Sequence, residues 1–395
     1  MKPAYIIDAV RSPIGRYGGK LSTVRPDDLL ALMIRSLVQR NGTIDVHQIE
    51  DVIVGAANQA GEDNRNVGRL AALLAGLPVT VAGNTVNRLC GSGMQAIMDA
   101  AKSIMCGEGM LYIAGGVEIM SRAPFITARQ INNEPAETVD STIGWRFTNP
   151  RLATMYHPYS MGETAEQLAI ERQISRAAQD VYAANSHAKY FTALANIIWE
   201  DEIIPVPIIH KGANILFDTD EHPRLTSVEK LAGLKPAFVR NGCITAGNAS
   251  GINDGASALL LASEEAVKLF NLQPMARVVS TAVGGVHPEM MGLGPVPATQ
   301  KALQRASLKI NDIDLVELNE AFAVQSIACI DDLALDANLV NVNGGAIALG
   351  NPLGSGGARI TTTLLHEMKR RKSKYGLAAM CIGVGQGSAL IVEAL

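Results

Sequence analysis

The first third of the chain alternates short apolar runs with segments in which apolar residues recur at helical spacing. Strand-type runs lie at residues 4–10, 52–56 and 110–114. Helical spacing covers residues 26–39, with Leu29, Leu30, Met33, Ile34 and Leu37 on one face, and residues 67–75. This alternation predicts βαβ units on a mostly parallel sheet and therefore an α/β fold.

The pattern changes between residues 122 and 247. Polar and proline-containing segments at 130–141, 149–160 and 211–225 surround one helical stretch, 163–198, and a short strand, 203–209. Long excursions from a regular pattern are usually functional or covering elements. We therefore expect an inserted loop domain at 122–247, flanked by a first half made of 1–121 with 248–272 and a second half at 273–395.

The final third of the chain resembles the first. Residues 49–59 align with 313–323 at an offset of 264 positions, and the turn at Cys90 aligns with Leu353 at an offset of 263. Gly109 and the strand after it align with Gly376 at an offset of 267. Segments repeated in the same order predict two similar halves whose equivalent loops meet at one shared site.

Cys90 lies in the first of these repeated turns. A strand-like run, 79–86, leads into Cys90-Gly-Ser-Gly93, and a helical pattern begins at Met94. A helix N-terminus presents free N–H groups and positive dipole, both of which favour a thiolate. The turn thus predicts a nucleophilic cysteine, while a buried structural cysteine remains the alternative.

Composition narrows the class of protein. The 395 residues are 48% hydrophobic and 18% charged, with 37 glycines and a net charge of −4. This balance does not favour binding to nucleic acid or to an anionic membrane. Five cysteines without framework spacing indicate a reducing compartment. Apolar runs stay below the ~18 residues of a membrane span, so we expect a cytoplasmic protein.

Four loops combine into one candidate site, because sites of open α/β sheets lie at the carboxyl ends of strands. They contain Cys90, Asn319 with Glu320, the glycine-rich segment 344–359, and Cys381 with Gly383. Two distant cysteines suit a covalent nucleophile and a proton carrier. Their spacing does not fit a zinc site, and the glycine loops lack the P-loop pattern. Asn319 could serve an oxyanion or simply cap a turn.

The other cysteines and the histidines receive structural interpretations. Cys106 ends a helix, Cys243 lies in a strand or turn, and Cys329 lies in an apolar helix. None of the seven histidines falls within the four loops. We therefore expect no metal site and no catalytic histidine.

Taken together, these loops resemble the motifs of the thiolase family over essentially the whole chain. The matching segments are Asn87-Arg-Leu-Cys90-Gly-Ser-Gly, residues 247–256, Asn319-Glu-Ala-Phe322, residues 344–350 and Cys381-Ile-Gly383. The resemblance implies two duplicated α/β halves in a five-layered αβαβα arrangement, with an inserted loop domain that covers coenzyme A. It also implies a homodimer or homotetramer.

The resemblance implies specific roles. Cys90 would form an acyl-thioester from a 3-oxoacyl-CoA, and Cys381 would protonate the departing acetyl-CoA enolate. Asn319 would hold a water in one oxyanion hole, and the N–H groups of Cys90 and Gly383 would form the other. Remaining positions match CoA contacts, at Arg224 and Ser250, and acyl-pocket positions, at Met161 and Phe322. Coenzyme A is then a substrate, and no tightly bound cofactor or metal is expected.

Asn351 departs from the family pattern. The chain has Gly350-Asn-Pro352 where the family has Gly-His-Pro. The family's histidine activates the nucleophilic cysteine and donates to the first oxyanion hole. An amide donates a hydrogen bond but does not accept a proton near neutral pH. We therefore expect reduced activity.

The substrate is narrowed by two further segments. Residues 57–66 and 142–149 resemble the subgroup that cleaves 3-oxoadipyl-CoA, and a dicarboxylic acyl chain needs a cation, for which Arg65, Arg122 and Arg146 are candidates. An acetoacetyl-CoA thiolase and an impaired, acyl-trapping homologue remain alternatives. A decarboxylating ketosynthase shares the fold, but it would use histidines where this chain has Asn319 and Cys381.

Overall fold

A computed structural model describes residues 2–130 and 135–395, so part of the polar segment at 130–141 lies outside the described residues. The strands in this part of the chain are β1 (Ala4–Arg11), β2 (Gly15–Arg16), β3 (Ile49–Gly55), β4 (Ala82–Val86), β5 (Leu111–Ile119), β6 (Phe125–Thr127), β7 (Thr138–Asp140), β8 (Val206–His210), β9 (Ala213–Phe217), β10 (Asn253–Ser263), β11 (Ala276–Gly285), β12 (Leu315–Leu318), β13 (Tyr375–Ile382) and β14 (Gln386–Ala394).

The α-helices among the described residues are α1 (Pro26–Arg40), α2 (Val67–Leu74), α3 (Ser92–Cys106), α4 (Pro150–Met155), α5 (Met161–Arg172), α6 (Arg176–Ala195), α7 (Val228–Ala232), α8 (Glu264–Leu269), α9 (Pro295–Ala306), α10 (Ala323–Leu333), α11 (Ala346–Leu349) and α12 (Leu353–Arg371). No helix in this part of the chain is both long enough and apolar enough to cross a bilayer.

The principal sheet is mixed rather than mostly parallel. Its strand order is β12-β13-β14-β11-β1-β10-β5-β3-β4. Parallel pairing occurs where β3 lies between β4 and β5, and again between β12 and β13. The pairs β1–β10, β5–β10, β11–β14 and β13–β14 are antiparallel. The expectation of a mostly parallel sheet is wrong, because only the βαβ segment of each half needs a parallel pair.

Five layers follow from how the apolar side chains pack. Helices α1 and α2 cover one face of the first half's strands. The other face packs on α3 and α12, which share a buried cluster with strands of both halves through Ile97, Leu364 and Met380. Helix α9 then covers the outer face of the second half. This confirms the αβαβα arrangement, with the two turn-bearing helices in the central layer.

Strand register confirms the internal repeat and corrects one offset. Val52 pairs with Ile113 in the first half, and Val316 pairs with Leu377 in the second. Both members of one pair lie 264 positions from the corresponding members of the other. The equivalence of Gly109 with Gly376, at 267, is therefore wrong by three positions. Alignment of Gly109 with Gly376 gives the wrong offset because Gly376 lies inside β13.

The insertion differs in detail from its prediction. The single helical stretch at 163–198 is two helices, α5 and α6, separated at Gln173, which has a left-handed φ of 52°. Ser160 and Glu163 form a capping box that starts α5. This start fixes Met161 at the beginning of the helix, beside the candidate site.

Candidate active site

Cys90 lies on a tight turn between β4 and α3. Leu89, the residue before it, has a left-handed φ of 48°, which is costly for a branched side chain and turns the chain sharply. Gly91 is the N-cap of α3, and the Ser92 hydroxyl accepts a hydrogen bond from the Arg88 N–H at 2.9 Å. The sequence prediction of a strand-to-helix turn is confirmed, and Cys90 is half-buried there.

Asn351 lies on the corresponding turn of the second half, immediately before α12. Gly350 has a φ of 107°, a conformation that favours glycine. The Asn351 N–H donates to the Asn253 Oδ1 at 3.0 Å, which anchors the turn to β10. The side chain is 6% exposed, and its Oδ1 is buried with no hydrogen-bond partner among the described residues. This amide therefore has free hydrogen-bonding capacity in the site.

Cys381 and Gly383 lie at the end of β13. Cys381 is buried, and both burial and the neighbouring Cys90 raise the pKa of its thiol well above the usual value. The thiol is consequently protonated near neutral pH. A Cβ placed on Gly383 would lie 3.4 Å from the Leu89 side chain and 3.7 Å from the Met161 sulfur. The backbone of Gly383 thus borders the Cys90 turn directly.

The pKa of Cys90 is raised, with burial as the largest cause. The backbone N–H groups of Gly383 and Cys90 act in the opposite direction and lower this pKa, while the charge of Glu118 adds to the increase. The sequence predicts that the helix N-terminus favours the thiolate of Cys90. This prediction is wrong, because the net shift of the Cys90 pKa is upward. Removal of the thiol from water disfavours the charged thiolate and raises this pKa.

Asn319 follows β12 directly, and its N–H donates to the Ala379 carbonyl at 2.9 Å. The side chain is 1% exposed, and both amide atoms are buried without a hydrogen-bond partner in the described part of the chain. Buried polar atoms are nearly always satisfied by protein, water or ligand. The arrangement favours a water-binding or substrate-binding amide over a turn cap.

These residues share one cavity of about 270 Å³. Cys90, Asn319, Asn351, Cys381 and Gly383 all line it, so the four loops do converge. Most of the remaining wall is apolar, and none of its side chains is charged; the wall includes Met120, Ile143, Met161, Phe238, Ala249, Met291, Phe322 and Leu353. An apolar wall around a few polar groups is typical of a small-molecule site.

The predicted binding residues divide into two groups. Ser250, Met161 and Phe322 line the cavity, and the Phe322 ring packs edge-to-face on Phe238 with centroids 6.2 Å apart. Arg224 is exposed and does not line this cavity; its N–H donates to the His187 Nδ1 at 3.2 Å.

The three candidate arginines also differ. The Arg122 Nη2 is 2.6 Å from the Glu62 carboxylate, which occupies that guanidinium. Arg65 is exposed on a left-handed turn with a φ of 65°. Arg146 is half-buried, and its Nη2 donates to the Ser141 carbonyl at 2.6 Å. Its position is two residues beyond Gly144, which lines the cavity.

Sequence reasoning missed several residues of the site. Phe238 and Met291 line the wall, and Asn253 holds the Asn351 turn. Glu118, a buried carboxylate at the end of β5, was also missed. The apolar residues carried no signal beyond core patterning. Glu118 did carry one, because a charged residue near the end of a nine-residue apolar strand is unusual without a partner.

Comparison with known proteins is consistent with this geometry. Family models for the thiolase N-terminal and C-terminal domains match residues 4–265 and 272–394. The chain is 53% identical to the 3-oxoadipyl-CoA/3-oxo-5,6-dehydrosuberyl-CoA thiolase of Escherichia coli K12, across 100% of both chains. It is 51% identical to a beta-ketoadipyl-CoA thiolase of Acinetobacter baylyi, again across 100% of both.

A solved structure shows the same architecture. The Bacillus anthracis acetyl-CoA acetyltransferase superimposes with a TM-score of 0.94 at 44% identity, covering 100% of this chain and 99% of that one. Fold and sequence together define an acyltransferase built from two duplicated α/β halves. The chain belongs to the thiolase family.

Proposed function

We propose that this thiolase cleaves 3-oxoadipyl-CoA with CoA, giving acetyl-CoA and a dicarboxylic acyl-CoA shortened by two carbons. Relatives named for this substrate support the proposed activity, since they are 51–53% identical to this chain over its full length. The observation that carries the mechanism is the convergence of Cys90, Cys381, Gly383 and Asn319 on one cavity.

The reaction starts at Cys90. Its thiolate adds to the C3 ketone of the substrate, and the C2–C3 bond then breaks with its electrons moving to C2 as the acetyl-CoA enolate. The N–H groups of Cys90 and Gly383 lower the pKa of this thiol, and in this proposal they also stabilise the oxyanion. Asn319 and Asn351 supply the remaining amide donors.

Cys381 completes the first half-reaction by giving its proton to C2 of the enolate. Burial keeps this thiol protonated, which suits a general acid. Cys381, now a thiolate, takes the proton of a second CoA thiol. The CoA sulfur attacks the Cys90 thioester, the bond between the acyl carbon and the Cys90 sulfur breaks, and Cys90 leaves as a thiolate. The order is ping-pong, and the reverse Claisen condensation uses the same residues.

Asn351 limits the rate in this proposal. The proton of Cys90 must leave before attack, and an amide does not accept it near neutral pH. Burial makes that deprotonation harder still, because it raises the pKa of Cys90. The chain therefore keeps the geometry of a thiolase but works with an under-activated nucleophile.

The CoA portion extends out of the cavity past Ser250 in this proposal. Ser250 and Gly251 line the cavity, while Arg224 lies on the surface outside it, where it can bind the nucleotide phosphates. Residues 122–247 act as the covering loop domain. CoA is a substrate here, and the reaction uses no resident cofactor or metal.

Assembly and location complete the proposal. Strand β4 ends the sheet path and includes exposed positions such as Asn84. Exposed apolar side chains of Leu73, Leu74 and Leu89 lie in the segments on either side of it. Natural proteins rarely leave such an edge uncovered. We therefore expect a homodimer formed through β4, alone or within a homotetramer, in the cytoplasm.

The test is incubation with acetyl-CoA followed by the mass of the intact protein. One acetyl group on Cys90 that added CoA removes supports a working thiolase. An acetyl group that persists after CoA is added identifies an acyl-trapping protein instead. Absence of any adduct contradicts both. Turnover of 3-oxoadipyl-CoA against acetoacetyl-CoA then decides between the dicarboxylic substrate and an acetoacetyl-CoA thiolase.

A further inference from the structure

Glu118 is a buried carboxylate that no step of the proposed reaction uses. It lies near the end of β5 and is 3% exposed. No cation pairs with it among the described residues. Its partners are three backbone N–H groups: Ala57 at 2.9 Å and Gly354 at 2.7 Å on Oε2, and Asn58 at 3.0 Å on Oε1.

The three N–H groups belong to different halves of the chain. Ala57 and Asn58 follow β3, and the neighbouring Ala56 N–H donates to the Val86 carbonyl at the end of β4, where the Cys90 turn begins. Gly354 is the second residue of α12, three positions after Asn351. One carboxylate therefore joins the support of the Cys90 turn to the support of the Asn351 turn.

Helix α12 and strand β5 pack closely around the hydrogen bond between Gly354 and Glu118. A Cβ on Gly354 would lie 2.6 Å from the Val117 carbonyl and 2.7 Å from the Glu118 carboxylate. A Cβ on Gly116 would lie 2.1 Å from the Gly354 carbonyl. The first turn of α12 thus rests directly on the backbone of β5. A change in the length of the residue-118 side chain must displace that turn or break the hydrogen bond to it.

We propose that Glu118 is a positioning residue that fixes the Asn351 turn opposite the Cys90 turn by binding the backbone of both halves. The proposal rests on the proposed function, because the separation of the two turns matters only if Cys90 and Asn351 act on one substrate. A misplacement of about 1 Å in such a site can cost ~10²-fold in rate.

The charge of Glu118 has a second measurable effect, which is on the pKa of Cys90. Its carboxylate is one of the causes that raise the pKa of Cys90. Burial raises the pKa of Glu118 itself to about 7, and the neighbouring Asp63 carboxylate, whose own pKa burial raises to about 6, adds to this. Length and charge at position 118 can therefore be varied separately.

Two substitutions separate the effect of side-chain length at position 118 from the effect of its charge. Glu118→Asp keeps the charge but is one methylene too short to hold both halves, so acetylation of Cys90 by acetyl-CoA should slow about 10- to 100-fold. The pH dependence of Cys90 alkylation by iodoacetamide should stay close to that of the unmodified protein. Glu118→Gln should also slow acetylation, because its amide N–H group meets a backbone donor. Its alkylation profile should move to lower pH, because the neighbouring negative charge is gone.

Glu166 supplies a matched control. It is likewise buried and accepts from two successive N–H groups, Cys243 at 2.9 Å and Ile244 at 2.8 Å, but its hydrogen bonds within the described part of the chain do not reach either turn. Glu166→Gln should lower the thermal midpoint as Glu118→Gln does while leaving the alkylation profile of Cys90 in place. Site-resolved peptide masses separate Cys90 from the other cysteines.

Two outcomes would overturn the proposal. Acetylation at an unchanged rate in both Glu118 variants would show that the link does not position the turns. An equal slowing in Glu166→Gln would reduce Glu118 to a general stabilising residue. Failure of the unmodified protein to form any acetyl adduct is a different result, which removes the proposed function itself.

Discussion

The turns at Cys90 and Asn351 occupy equivalent places in the two halves, yet they carry different chemistry. The Cys90 turn follows strand β4 and is half-buried, whereas Asn351 follows the short helix α11 and is buried. Each leads into a central helix, and these helices touch where a Cβ on Gly357 would lie 2.5 Å from the Met94 nitrogen. Duplication thus supplied a symmetric scaffold, in which one turn carries a thiol and the other carries a hydrogen-bonding amide.

Removing the nucleophile tests the first turn and should have the largest effect. Cys90→Ala should abolish the acetyl adduct completely, because no other thiol occupies its position on the turn. Cys381→Ala should still form the adduct from acetyl-CoA but should lose cleavage of 3-oxoacyl-CoA substrates, since the enolate then has no acid. Intact mass and steady-state thiolysis measure the two steps. Equal loss of both steps in the two variants would contradict the division of roles.

Restoring a base tests the second turn. Asn351→His should raise thiolysis by about 10²- to 10⁴-fold, because general-base help is typically of that size. The buried Oδ1 of Asn351 has no hydrogen-bond partner among the residues that the structure describes, so this position can make a further hydrogen bond. The measurement is kcat with acetoacetyl-CoA and CoA.

The control for the expected rise in thiolysis is a histidine at Asn319, the second asparagine of the cavity. Asn319→His introduces an imidazole into the same cavity but removes the proposed water-holding group, so thiolysis should fall. A rise in both variants would mean that any added base suffices. No rise in Asn351→His would show that deprotonation of Cys90 does not limit the rate.

Sequence predicted the repeated scaffold well because periodicity and motif spacing are local properties. The fold class, the strand-to-helix turn at Cys90 and the convergence of the four loops all followed from such patterns. Two things depended on tertiary packing and were not predictable. The pKa of Cys90 is raised chiefly by burial, and Glu118 links the two halves only when Gly354, 236 positions away, donates to it.

Recognition of charge at the acyl end is the next comparison. Among the three candidate arginines we choose Arg146 for the test, because Gly144 in the same segment lines the cavity. Arg146→Met should lower kcat/KM for 3-oxoadipyl-CoA about 10- to 100-fold, the range of a lost hydrogen bond to a charged group. Acetoacetyl-CoA, which lacks the terminal carboxylate, should be cleaved as before. Arg65→Met is the matched control and should leave both substrates unchanged. Equal losses for both substrates in Arg146→Met would contradict a role in specificity.

Disrupting the contact between the central helices α3 and α12 should have a smaller effect, on the stability of the fold. A Cβ on Gly93 would lie 2.8 Å from the Gly354 carbonyl and 2.9 Å from the Ala358 nitrogen. Gly93→Ala should therefore cost about 1–3 kcal/mol of unfolding free energy through overpacking. Gly42→Ala, where the nearest atom is 3.7 Å away, should stay within ~0.5 kcal/mol. Urea unfolding of the two variants compares them, and equal stabilities would show that the helices can separate without cost.

The smallest expected effect is a shift in the pH dependence of Cys90 alkylation. A thiolate is the charged form, so burial disfavours it and raises the pKa. The alkylation rate should therefore still be rising at about pH 8.5, the usual cysteine pKa. In Asn351→His a protonated imidazole would favour the thiolate, and the profile should move to lower pH. Exposed Cys106 reports reagent reactivity in the same sample. An unmodified profile that already levels off below pH 8 would mean that the helix dipole outweighs burial at the Cys90 turn after all.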